Sequence, residues 1–591
     1  MVNCSIMNRN FNIEENQLSE SLANSSDQLK NYYRKETDVV VSSLQYSDLL
    51  GEVKAKARGI EQIPEINDSI YSESLITGNR EIYENSYDAR RVNLSIAAFL
   101  VISGDMEYLP IVEKYLIAIC DERTWVIPAH DGRLIDIYSA DTTLTLAETV
   151  AILRDKLSPE VIERVYREVR LKIFEPYEKK LEDHIWYDKG DNWTSVCNSC
   201  IGSAYLLLEP DNEKKTKGII TVIDGLNTYI GKSFKEDGGT DEGVLYWNYG
   251  MGMFAVFSEH LFNASNGTIN LFANSKIKRI AEFPANMILG DRLFISFSDA
   301  YEHGTQFHPG YIQKIASRAD TPRLLGLLTY KMPVDCFELP NLIRYCSWWD
   351  GKQYPNPEIE SILLPDLGIA KLVSMKHGFP LIVSTKAGNN GENHNHNDIG
   401  SFILTVDGEN FFTDPGPGKY SGDYFSEKRY ENVFANSYGH SVPVIDGLLQ
   451  KQGGDSYGTI DVYSTTGETY VLLNLTNAYK LEDLKRYTRE IFLNDAEPSI
   501  TLTDNFEFTQ TTHSIQEAFV TYKEVKIIDD QHIIIVGENH LLEVSINGGK
   551  LEIEQLDKES LDNEKDQMLK RITVTLNNVN KTGFVINFRV K

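Results

Sequence analysis

The sequence predicts two joined folds, a layer of paired α-helices followed by an antiparallel β-sandwich. Three observations carry this. From about residue 85 to 330, apolar residues recur at helical spacing with hardly a strand signal. Near 345 the character changes, at Trp348, Trp349 and the loop Tyr354-Pro355-Asn356-Pro357. Beyond it, short alternating apolar runs are separated by Gly, Asn and Asp turns. A chain of 591 residues exceeds one hydrophobic core. The division is expected at 345/346, with a helical domain over 1–345 and a sandwich over 346–591.

Taken in order, residues 1 to about 60 are polar and partly helical in pattern. Ala97, Ala98, Leu100 and Val101 form one apolar run, stopped by Gly104-Asp105. Ile111, Val112, Tyr115, Leu116 and Ile119 keep helical spacing, and Thr142 to Leu157 reads as a helix. Ser158 and Pro159 suit a helix start, with Val161, Val165 and Val169 repeating every four residues. Val196–Leu208, Gly218–Ile230 and Tyr249–Phe262 add three more. In the second half, Ile369–Val373, Leu381–Val383, Phe402–Val406, Tyr470–Leu473, His532–Val536 and Arg571–Leu576 read as strands. In the last strand Phe584, Ile586, Phe588 and Val590 alternate with Val585, Asn587 and Arg589. The acidic stretch from Glu552 to Asp566 reads as a solvated face or loop.

The net charge of -28 argues against nucleic acid, whose phosphates need a basic surface. It leaves room for an anionic substrate in a local basic cleft. Six cysteines are too few for a disulfide scaffold at this length. Cys197 and Cys200 lie in an apolar helical run without a second pair, which favours packed thiols. The first residues hold no apolar core of signal-peptide length, and no membrane-spanning run occurs. As written the chain is expected in the cytoplasm, or in the periplasm or outside the cell if a leader was removed.

The richest stretch is Asn393-His394-Asn395-His396-Asn397-Asp398, in front of the alternating Phe402, Leu404 and Val406. On a strand, His394 and His396 would face one site together. Asp414 follows in Asp414-Pro415-Gly416, and His440 in Tyr438-Gly439-His440-Ser441. Histidine and aspartate from three neighbouring segments suit zinc. The plainer alternative is an Asn- and His-rich loop that binds nothing.

A second constellation lies in the helical half. Asp191-Asn192-Trp193 precedes an apolar helix, and Asp237-Gly238-Gly239-Thr240-Asp241-Glu242-Gly243 runs into Val244-Leu245-Tyr246-Trp247-Asn248-Tyr249-Gly250. Aromatic rings stack on sugar faces, while acids, amides and phenols bind sugar hydroxyls. Packing between helices is the alternative reading of the same residues.

Together the strings DNW…VCNSCIGSA, DGGTDEGVLYWNYG and NHNHNDIGSF…DPGPGKY…RY…GHSVPVIDG resemble the heparinase II/III-like polysaccharide lyases. The resemblance spans roughly residues 85 to 460. It implies an N-terminal incomplete (α/α) toroid, a C-terminal antiparallel β-sandwich with structural zinc, and β-elimination of an anionic, uronate-containing polysaccharide or oligosaccharide. It places Asn192 and His394 on the uronate carboxylate and makes Tyr249 a proton carrier. A second tyrosine is expected from the sandwich: Tyr420 first, with Tyr424 and Tyr430 competing. Glu242 would bind substrate or hold a neighbouring side chain, and Trp193, Tyr246 and Trp247 would line the sugar site. His396, Asp414 and His440 would be the zinc ligands.

The chain departs from the family pattern at Ser441, where asparagine is frequent, and at Thr240-Asp241, where a histidine is frequent. Few basic residues lie in the motifs, only Lys419, Lys428 and Arg429 near the second site, which favours a weakly sulfated or unsulfated polymer. Two other functions fit the same residues: a glycoside hydrolase built on the helical toroid, and a non-catalytic glycan-binding protein.

Overall fold

The computed structural model describes residues 10–333, 336–465, 468–509 and 512–591. The chain divides into two compact units. The first takes residues up to Phe234, then Tyr246–Ala281 and Gln306–Pro355; the second takes Lys235–Leu245, Glu282–Thr305 and Asn356–Lys591. The last crossing is therefore at 355/356, where the sequence pattern placed a single division at 345/346. The two early segments that group with the second unit carry no change of periodicity that a sequence reading could use.

The first unit is built of helices, as expected for an incomplete (α/α) toroid. Helix Asn192–Leu208 packs on Ile137–Leu153 and on Asn212–Lys232. Each start is chemically marked. Asp136 accepts from the Ser139 backbone N–H while the Ser139 hydroxyl accepts from the Asp136 backbone N–H, a reciprocal cap. Asp191 accepts from the Thr194 N–H ahead of the Asn192 helix. Close approach needs a missing side chain at Gly225, where a Cβ would stand 2.4 Å from Asn198 Nδ2. The helix expected over Thr142–Leu157 runs from Ile137 to Leu153.

One buried ion pair ties three of these helices together. Arg344, on Leu339–Ser347, donates through Nη1 to Glu148 Oε2 at 2.5 Å, and Tyr33, on Ser25–Ser42, donates to Glu148 Oε1 at 2.9 Å. Both charges are fully out of solvent, so each relies on the other.

The second unit is antiparallel throughout its paired strands. A five-stranded sheet runs in chain order through Ile362–Leu364, Ile369–Ser374, Leu381–Lys386, Phe402–Val406 and Glu409–Phe412. A nine-stranded sheet has the order Glu524–Asp529, His532–Val536, Leu541–Ile546, Lys581–Val590, Ser499–Phe508, Leu484–Asn494, Glu468–Asn474, Gly453–Thr465, Gly388–Asn390. A four-stranded sheet joins Leu551–Leu556, Leu569–Val579, His513–Thr521 and Val444–Ile445. Period-two alternation sends Phe584, Ile586, Phe588 and Val590 inward. Phe402, Phe412, Phe519 and Phe588, drawn from all three sheets, meet with ring centroids 5.2–6.1 Å apart. They form the centre of the core.

The stretch from Glu552 to Asp566 is a largely solvated face, structured as far as Asp562 and a turn beyond it. Leu551–Leu556 is a strand and Asp557–Asp562 a helix, because Leu551, Leu556 and Ser560 point inward while the acids stay out. The second unit also holds a short hairpin, Ile288–Gly290 with Leu293–Phe294, in a region that reads as helical. Among the described residues no helix is long and apolar enough to cross a membrane.

Candidate functional site

The second unit gathers its polar side chains around Asp299. Oδ2 of Asp299 lies 3.0 Å from His394 Nδ1, and Oδ1 lies 3.1 Å from His396 Nε2. Oδ1 also accepts from the Tyr424 hydroxyl at 2.9 Å and from Arg429 Nη2 at 2.7 Å. Burial opposes the charge on Asp299, but the hydrogen bonds from His394 and His396 and the Arg429 guanidinium hold it well below the usual carboxylate range. An ionised carboxylate only accepts, so His394 presents Nδ1–H to Asp299. Its Nε2 then turns to the rest of the site, where Glu242 stands at 3.9 Å.

His394 and His396 do meet at one carboxylate, but not as alternate residues of a strand. They lie in the loop before Phe402–Val406, and His394 has φ +53. This left-handed residue turns the chain, so His394 is half-buried while His396 is fully buried. The two are reached by opposite oxygens of Asp299.

Among the tyrosines of the sandwich loop, Tyr424 rather than Tyr420 joins the cluster. Its hydroxyl accepts from Gly418 N–H at 3.0 Å and lies 3.3 Å from His396 Nε2. Burial, then the Asp299 charge, push this phenol well above its ordinary range. Tyr420 is 40% exposed and packs its ring against Tyr424 and Phe425. Tyr430 donates to Asn395 Oδ1 at 2.7 Å.

His396, Asp398, Asp414 and His440 can each offer a ligand atom within 4.8 Å of the others, and all four are buried. His396 Nδ1, His440 Nε2 and Asp398 Oδ2 are buried without a hydrogen-bond partner. Such orphaned atoms are costly unless something fills their demand, and a divalent cation does so. The set of imidazole nitrogens and carboxylate oxygens therefore fits a metal. The outer partners suit it too. Asp299 holds the far nitrogen of His396, and Lys386 donates to Asp398 Oδ1 at 2.7 Å. Asp398 was not singled out in the sequence, although its spacing from His396 in the same string was the available signal.

The first unit holds the other expected residues. Asn192 is the first residue of its helix and is 7% exposed. Trp193 is half-buried, with His130 edge-on at 4.8 Å and the Arg133 guanidinium 5.1 Å over its ring. Tyr246 is half-buried. Trp247 is a correction: its ring is in the core at 1% exposure and its indole N–H donates to Ile280 O at 2.8 Å. It presents no face for a sugar.

Tyr249 lines a cavity of about 280 Å³ together with Asp141, His308, Glu338 and Asn341. Its hydroxyl donates to Asp141 Oδ2 at 2.5 Å. Burial pushes Asp141 up to about 6 and Glu338 up to about 7, and burial drives His308 down to about 3. Neither acid was legible in the sequence, since each sits in an ordinary helical context.

Residues 356–584 match the family model described as "Heparinase II/III-like, C-terminal". A solved structure titled "Crystal Structure of Heparinase III" aligns over 87% of this chain and 78% of its own, with TM-score 0.62 and 16% identity. Heparan sulfate lyase HepC from Pedobacter heparinus aligns over 92% and 88%, with TM-score 0.61 and 15% identity. At these identities the structural likeness is one of fold. No curated protein sequence matches the chain.

Proposed function

We propose that this chain, whose residues 356–584 resemble the heparinase II/III-like C-terminal domain, is a polysaccharide lyase acting on a uronate-containing polymer. The observation that carries the reading is the Asp299–His394 pair, which fixes one imidazole nitrogen on the carboxylate and turns the other towards Glu242. In β-elimination the C5 proton of the uronate is removed, the C4–O4 bond breaks, a C4=C5 double bond forms and O4 takes a proton. The intermediate carries extra negative charge beside a carboxylate, so hydrogen-bond donors must stabilise it. Asn192 supplies an amide donor; His394, whose Nδ1–H is held by Asp299, donates to the uronate carboxylate through Nε2 when that nitrogen is protonated as well, and Tyr249 carries a proton. Glu242 stands by His394 Nε2 and helps hold it. Tyr420 is the accessible tyrosine of the sandwich loop and serves as the second proton carrier; Tyr424 is buried in the Asp299 cluster. The metal is Zn²⁺ held by His396, Asp414 and His440, and when bound it pins the segments that carry these residues.

The raised carboxyls of Asp141 and Glu338 in one cavity favour a second reading, a glycoside hydrolase, which needs two carboxyl groups about the scissile bond. One assay separates the two. Purified protein is incubated with heparan sulfate, hyaluronan and alginate while near-ultraviolet absorbance is followed. A lyase gives 4,5-unsaturated ends that absorb, and Tyr249→Phe slows their release roughly a hundredfold. New reducing ends without absorbance would establish the hydrolase instead.

A further inference from the structure

The Tyr249 hydroxyl is not free to become a phenolate. Burial comes first, and the neighbouring Asp141 charge second, in pushing it well above the ordinary phenol range. A tyrosine acting alone as base would have to lose its proton beside a negative charge. The geometry offers another route. The Tyr249 O–H already points at Asp141 Oδ2 at 2.5 Å, so its lone pairs are turned elsewhere.

Asp141 is also unusually placed. It is half-buried, and its side-chain partners are the Tyr249 hydroxyl and the Cys200 thiol, the latter at 3.3 Å from Oδ1. Among the described residues, no lysine or arginine lines the cavity it shares with Tyr249. The described ionisable groups around it are Tyr249, Cys200, Cys197, Tyr311, Cys336, Glu338 and His308, with Asp136 further off; none of these supplies a positive charge at neutral pH. A carboxylate shielded from water without a cation beside it is ready to take up a proton.

We propose that Asp141 is the positioning partner of Tyr249 and the temporary store for the proton that Tyr249 moves. This rests on the lyase reading above. The balance is simple. As the C5–H bond breaks, its proton goes to Tyr249 Oη while the original phenol proton passes to Asp141 Oδ2. The electron pair left at C5 forms the C4=C5 bond and expels O4. Tyr420 gives its proton to O4, and after product leaves the stored proton passes from Asp141 through Tyr249 and solvent back to Tyr420. Both phenols and the carboxylate are restored, and Tyr249 never becomes a phenolate.

The test combines turnover with a probe that needs no substrate. On the polymer that the wild-type cleaves, Asp141→Asn should lower kcat roughly a hundredfold, the scale of lost proton-transfer help, with KM changed less than about threefold. Asp141→Glu should recover part of the loss. The acid limb of the wild-type kcat profile should fall near pH 6 and be absent from the residual activity of Asp141→Asn. Independently, ¹³Cζ-tyrosine NMR should show the Tyr249 signal, assigned by its loss in Tyr249→Phe, shifting through pH 6. It should be flat there in Asp141→Asn. The proposal is overturned if Asp141→Asn keeps wild-type kcat, or if the Tyr249 signal is insensitive to pH near 6. If no polymer yields an unsaturated product, the lyase reading fails; the NMR titration then still decides whether the Tyr249–Asp141 proton pair exists.

Discussion

Asp299 Oδ2 and His394 Nδ1 are 3.0 Å apart although 95 residues separate them in the chain. The contact selects the tautomer of the ring. Asp299→Asn removes the charge and offers an amide that can turn either way. Turnover should fall at least tenfold with a smaller change in KM, because ring orientation matters most in the transition state. Steady-state kinetics on the active polymer checks this; an unchanged kcat would mean that His394 does not depend on Asp299.

Metal content and stability should fall together. His440→Ala removes one imidazole from the buried set His396, Asp398, Asp414 and His440. Elemental analysis should show about one zinc per wild-type chain and well under one in the variant. The melting temperature should drop as well, since a bound ion stabilises only the folded state. A chelator should lower the wild-type value towards that of the variant.

A buried arginine holds the loops that bear the candidate metal cluster. Arg489 Nη1 donates to Gly400 O and Ser441 O, both at 2.7 Å, and Nη2 donates to Asp504 Oδ2 at 2.6 Å and Glu517 Oε2 at 3.1 Å. Arg489→Met leaves the buried Asp504 carboxylate without its counter-charge. The expected loss is about 3–5 kcal/mol of stability, read by denaturant titration, with zinc affinity weakened in the same variant.

His513 gives a pH-dependent term. Its Nδ1 is 2.6 Å from Asp446 and its Nε2 2.7 Å from Asp483. Burial lowers its proton affinity, but the hydrogen bonds to Asp446 and Asp483 outweigh it, and the net shift is upward. A raised imidazole stabilises the fold fully below the unfolded value of about 6.5. That contribution is lost as pH rises through the higher folded value. His513→Gln should therefore be less stable than wild type near pH 6, with the gap narrowing towards pH 9. Thermal melts across that range measure it.

The sandwich was legible because period-two alternation is written locally, as in Phe584 to Val590, and the helical half because its apolar stripes repeat every three or four residues. Three of the four members of the candidate metal cluster, His396, Asp414 and His440, were legible because they lie in short, unusual strings. Asp299 was not, since nothing near it in the chain marks a residue that must meet His394 and His396 across some hundred positions. Trp247 misled for a related reason: its neighbours Tyr246 and Tyr249 look like a sugar platform, but helical spacing turns the indole inward. Likewise the His-x-His spacing suggested a strand, and the left-handed backbone at His394 cannot be read from residue type.

That left-handed backbone sets a trade-off between durability and turnover. At φ +53 a side chain with a Cβ is strained by roughly 1–2 kcal/mol, whereas glycine is at ease and asparagine nearly so. His394 is thus a position where the demands of folding and of chemistry favour different residues. Selection for a tougher fold alone would replace it with glycine or asparagine and leave the sandwich and its metal set in place. Under the proposed lyase function, a lineage released from the need to cleave polymer should lose His394 among the earliest residues, and its loss would mark a relative that keeps this fold as a binding protein.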